Sequence, residues 1–119
     1  MAFKLAISDI IDVPVKASLA DGGKKVTHAF TLHARRIDAE PLREALNDSS
    51  VLIGDFLREH VVGWGDQRLV LDEETGAPAS FSDEAFAAMR SVPGIERLIF
   101  ESYLVAAVAA DGAAARAKN

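Results

Sequence analysis

Val13-Pro14-Val15-Lys16-Ala17-Ser18-Leu19-Ala20-Asp21-Gly22-Gly23-Lys24-Lys25-Val26-Thr27-His28-Ala29-Phe30-Thr31-Leu32 is the stretch that decides the fold. Val13, Val15, Ala17 and Leu19 alternate with Pro14, Lys16 and Ser18, and side chains two apart share one face of a strand. After the turn the alternation resumes, with Val26, Phe30 and Leu32 on one face. Asp21-Gly22-Gly23-Lys24 supplies residues that tolerate positive φ, so the two runs close into a hairpin. Pro14 has no N–H to give to a ladder, which places it near a strand start or on a sheet edge. Upstream, Phe3, Leu5 and Ile7 alternate with Lys4 and Ala6 and offer a third strand.

Downstream the period changes. Asp38 caps a helix whose first turn carries Glu40 and Pro41, stapled by Ile37 and Leu42, and it runs to about Asn47. Asp48-Ser49-Ser50 offers the next cap, and Ile53, Phe56, Leu57, His60 and Val61 fall at helical spacing. Gly63-Trp64-Gly65-Asp66 is expected to end that helix. From Asp66 to Ser80 the chain reads as an exposed loop with room for one short strand, Leu69-Val70-Leu71 being its apolar knot. Ser82 caps a third helix, with Asp83 and Glu84 complementing the dipole and Phe81 and Phe86 as staple. Val92-Pro93-Gly94 breaks it, and Pro93 is expected to open a fourth helix reaching about Ala114. The expected fold is therefore α+β: an N-terminal antiparallel β-hairpin with a possible third strand, followed by a small bundle of about four helices. The 119 residues are expected to form one domain, with a hairpin region at 1–36, a helical region at 37–114 and a flexible tail at 115–119.

The fourth helix carries two apolar faces. Ile95, Leu98, Ile99, Val105 and Ala106 suffice to dock it, yet Phe100, Tyr103, Leu104, Ala107 and Val108 form a second face. Such a helix is central in its fold or buried against another chain. In a domain with so few helical residues, self-association or partner binding through Phe100, Tyr103, Leu104 and Val108 is the expectation, with pure core as the alternative.

Composition excludes several functions. There is no cysteine, hence no disulfide framework, zinc–thiolate site or thiol nucleophile, and a reducing compartment is expected. Thirteen basic against eighteen acidic residues give a net charge of −5. The cations are scattered, and a duplex binder needs them clustered, so no nucleic-acid partner is expected. The longest apolar run, Leu104 to Ala110, is far short of a membrane span, and the N-terminal residues do not read as a signal peptide. His28, His33 and His60 lack metal-ligand spacing, and no Gly-x-Ser-x-Gly elbow or phosphate loop occurs. Asp72-Glu73-Glu74 lacks the alternating oxygen ligands of a calcium loop and reads as a solvated run. Lys24-Lys25 and Arg35-Arg36 read as charges that protect a sheet edge. No catalytic residue, cofactor or metal is expected. Trp64, the sole tryptophan, flanked by glycines beside an acidic loop, is a candidate protein-binding anchor, or else a cap on the core rim.

Val61 to Gly94 resembles the tail assembly chaperones of long-tailed bacteriophages and prophages. The elements that carry the resemblance are Trp64 at a helix end, the acidic loop Asp72-Glu73-Glu74-Thr75-Gly76-Ala77-Pro78, the cap Phe81-Ser82-Asp83-Glu84, and the closing Pro93-Gly94. Gly65-Asp66 directly after the tryptophan, and the long apolar fourth helix, depart from the pattern. The resemblance implies a non-enzymatic assembly factor in the host bacterial cytoplasm that binds the tape measure protein and recruits tail tube subunits. A structural virion component, such as a head-to-tail connector or tail completion protein, is the alternative. A homo-oligomer is expected in either case.

Overall fold

The computed structural model describes residues 8–47 and 52–108. Strands β1 (Ile10–Asp21) and β2 (Lys24–Arg35) form the hairpin, followed by helices α1 (Ala39–Asn47) and α2 (Ile53–His60), strand β3 (Val61–Gly65), and helices α3 (Asp83–Arg90) and α4 (Ile95–Val108). The sheet is antiparallel in the order β1-β2-β3, so the fold is α+β: a hairpin-based three-stranded sheet with a small helical body. Among the described residues no helix is long and apolar enough to cross a membrane.

The hairpin forms because its turn and its period agree. Gly22 (φ 59°) and Gly23 (φ 84°) both occupy the left-handed region, the requirement of the two-residue turn whose twist matches the strands. That turn sets the register Leu19↔Val26, Val15↔Phe30 and Val13↔Leu32, which brings the alternating apolar residues of both strands to one face. Ile11, Val13, Val15, Ala17, Phe30, Leu32 and Ala34 are buried there, while Asp12, Pro14, Lys16, Ser18 and Ala20 stay exposed. The helices gather on the buried face: α4 packs along β1, and α2 packs against α4 and β3. Pro14 lies on an edge strand, where its missing donor breaks no ladder bond.

The third strand of the described sheet is β3, downstream of α2; the strand expected at residues 3–7 lies outside the described residues. Two expectations are corrected. The second helix stops at His60 instead of running on through Val61. Two features explain this: the His60 Nδ1 bonds the Phe56 carbonyl at 2.8 Å, and the β-branched pair Val61-Val62 enters the sheet at once, Val61 opposite Ala34 beside an irregularity at His33/Ala34. Pro93 does not open α4. It sits in a turn, Gly94 takes φ 85°, and the helix begins at Ile95. The Ser82 cap is present, its hydroxyl accepting the Ala85 N–H at 3.0 Å, with Phe81 and Phe86 ring centroids 5.6 Å apart. The cap expected at Asp48-Ser49-Ser50, the last turn of α4 toward Ala114 and the tail at 115–119 lie outside the described residues.

Candidate functional site

β3 is short, but it aims Trp64. Pairing opposite Leu32 places the indole on the helix-bearing side of the sheet, where it packs against the core. Its Nε1 donates to the Ala79 carbonyl at 3.1 Å, and its ring meets Phe81 edge-on at 5.2 Å and Phe86 at 6.4 Å. The Arg90 guanidinium lies over the Phe86 ring at 5.0 Å and reaches Glu96 at 3.5 Å. Trp64 thus ties the far end of the 66–80 loop to the start of α3.

A residue that sequence reading passes over completes the tie. Gln67, only 3% exposed, is the one buried polar side chain among the described residues. Its Nε2 donates to the carbonyls of Val70 (2.9 Å) and Ala79 (3.0 Å), while Oε1 accepts from the N–H groups of Leu69 (3.1 Å) and Val70 (2.8 Å). One amide therefore satisfies four backbone groups of the loop. The only sequence signal was a lone Gln at the head of a loop, and that composition is common to exposed loops.

Beyond this knot Leu71 bridges Pro78, and the enclosed tip is bonded internally. The Asp72 carboxylate accepts from Glu74 N–H (2.9 Å) and Thr75 N–H (3.0 Å), the Asp72 carbonyl from Gly76 N–H (2.8 Å), and the Asp72 N–H reaches the Ala77 carbonyl (2.7 Å). The Thr75 and Glu74 amides hold the Asp72 carboxyl below its ordinary pKa. Gly76, at φ 71°, closes the turn. Every residue from Leu71 to Pro78 is exposed, Leu71 at 51%.

The fourth-helix candidates are placed differently from expectation. Tyr103, 1% exposed, donates its hydroxyl to the Arg35 carbonyl at 2.8 Å. Phe56 on α2 meets Tyr103 and Phe100 edge-on at 5.4 and 5.2 Å, and Leu104 packs against the same core. The expectation that Phe100, Tyr103 and Leu104 lack partners within the domain is overturned, because α2 turns back into β3 and lays Phe56 across this face of α4. The helix docks along Ile95, Ile99, Tyr103 and Ala107, spaced by four. Val105, expected in the docking stripe, is 71% exposed, and Val108 is 48% exposed.

The histidines are dispersed. His33 Nδ1 pairs with Asp12 at 2.8 Å on the open sheet face, its ring beside the bare backbone of Gly63 and Gly65. His60 stacks on Phe56 at 4.2 Å, and His28 stands opposite Ala17. No group of three or more His, Cys, Asp or Glu side chains suited to a metal occurs among the described residues. No protein family, curated protein or solved structure matches the chain.

Proposed function

We propose that the chain is a non-enzymatic assembly chaperone of long-tailed phage tails, acting in the host cytoplasm by binding the tape measure protein and recruiting tail tube subunits. One observation carries the reading: the tip from Leu71 to Pro78 is fixed by an internal hydrogen-bond set yet buries nothing. Ordering a loop costs roughly 1–2 kcal/mol per residue in backbone entropy. A loop ordered without burial presents a preset surface to another molecule. Here that surface is acidic around an exposed Leu71, complementary to a helix with an apolar stripe and basic flanks. Trp64 supports the rim from inside, a more indirect role than that of an exposed anchor. Of the elements on which the resemblance rests, Trp64 adjoins the base of this loop through its bond to Ala79 and its contact with Phe81, next to the Ser82 cap.

The test is co-expression with the tape measure protein of the same tail gene cluster. The client should be soluble only with the chain present, and Leu71→Glu, with an unchanged circular dichroism spectrum, should lower the soluble fraction. Mass spectrometry of purified particles should lack the chain. A fixed copy number in the particle, or client solubility indifferent to the chain, would overturn the reading in favour of a virion component or an unrelated role.

A further inference from the structure

β2 is longer than β3, and part of its second edge is left open. The Asp21–Lys24 turn closes on a hydrogen-bonded pair, so along the ladder the even residues of β2 bond β1 and the odd ones turn their N–H and C=O groups the other way. Two contacts outside the ladder agree: the Arg36 N–H bonds the Asp9 carbonyl on the β1 side, and the Arg35 carbonyl is taken by the Tyr103 hydroxyl. β3 pairs only with Thr31 to Ala34. Asp66, at φ 61°, then turns the chain out of that line, and Leu69 and Val70 pack against the core. The outward backbone groups of Lys25, Thr27 and Ala29 therefore have no partner among the described residues, and all three residues are exposed.

The far edge of the sheet, on β1, is closed by its own sequence. By the same alternation Pro14 sets its ring at an outward N–H position there, where an added strand would have to place a carbonyl. No proline interrupts the stretch from Lys25 to Ala29. On its helix side Val26 and His28 are only half-buried, so alternate side chains of an added strand have surface to cover. On the other face an open depression of about 450 Å³, lined in part by Lys16, Ala29, Thr31 and Asp66, leaves room for the side chains in between.

Charge selects the occupant. Lys16, Lys24 and Lys25 surround this edge and make no ion pair among the described residues. Two copies paired through it about Thr27 would set the Lys25 of each opposite the Ala29 of the other, beside Lys16, and like charges so placed repel. A strand carrying carboxylates meets the opposite situation, because each can lie beside a free lysine. Asp66 follows the residue opposite Thr31 and stands at the far end from Lys25. We infer that Lys25 to Ala29 is a strand-addition site for an extended, acidic segment of the tail tube subunit, an assignment that rests on the recruiting role proposed above.

The experiment titrates the purified full chain with the purified tail tube protein of the same tail gene cluster and follows amide exchange. On binding, the Lys25, Thr27 and Ala29 amides should slow, while those of Val26 and His28, already bonded to β1, stay as they are; burial without strand addition would not alternate. Thr27→Pro removes an outward N–H and no ladder bond, and it should abolish binding. Thr27→Ala loses the same contact with the Ser18 hydroxyl and should bind like wild type. Lys25→Glu keeps the backbone unchanged and should weaken binding while flattening its dependence on salt. Thermal melts of each variant serve as folding control. A tube protein that does not bind, protection without alternation, or Thr27→Pro binding like wild type would overturn the site. So would a fall in the chain's own sedimentation mass on Thr27→Pro, which would assign the edge to a second copy. Leu71→Glu should leave tube binding intact and Thr27→Pro should leave the client soluble, so either proposal can fail alone.

Discussion

Replacing Gln67 by Leu keeps the side-chain volume close and removes four hydrogen bonds at once. Each is worth about 0.5–1.5 kcal/mol net, but the Leu69 and Val70 segment is half-buried and its amides can partly rehydrate, so the loss is about 2–3 kcal/mol. For a chain of this length that is a fall of roughly 10 °C in Tm. Circular dichroism melts measure it, and limited proteolysis should show new cleavage between 67 and 80. Gln67→Glu separates hydrogen bonding from size. Its acceptors still serve Leu69 and Val70, but a carboxylate then faces the carbonyls of Val70 and Ala79. At neutral pH this variant should be less stable than Gln67→Leu. The carbonyls facing it raise the folded-state pKa of the introduced carboxyl above its unfolded value, so stability should recover as pH falls through that raised pKa to the unfolded value, where the protonated acid donates again. If Gln67→Leu melts within the error of wild type, or Gln67→Glu shows no recovery on acidification, the amide does not organise the loop.

Three further outcomes follow from the packing. Gly54→Ala in α2 should fall short of the gain of about 0.4–1 kcal/mol usual for Gly→Ala at a compatible site, because a Cβ there displaces the Glu96 carboxylate from Arg90; chemical denaturation should show the full gain only when Glu96→Ala is added. Tyr103→Ala should cost about 3–5 kcal/mol as a core truncation, and Tyr103→Glu should unfold the domain instead of yielding a folded monomer, both visible by urea titration. Asp72 has its pKa lowered by the Thr75 and Glu74 amides, so its support of the tip is present above the unfolded value and is lost as pH falls below about 4; amide exchange at Glu74 and Thr75, corrected for its intrinsic pH dependence, should speed up over that range.

Local chemistry determined a large part of this protein from the sequence alone. Two glycines between alternating runs require a two-residue turn, and period two then dictates which side chains of the hairpin meet the core. Asp38, Ser82, Pro93 and Gly94 mark helix boundaries to within a residue or two, because caps and breakers act over a single turn. Tertiary structure decided what depends on distant partners. Val61-Val62 is a strand because β2 has an edge to receive it, whereas the same residues in isolation continue a helical stripe. Gln67 is buried because Val70 and Ala79 turn their carbonyls toward it. Phe100 and Tyr103 face inward because α2 brings Phe56 over them, and Val105 is left on the surface by the same rotation of α4. An apolar side chain specifies that it needs a partner, and only the relative placement of the elements specifies which one it finds.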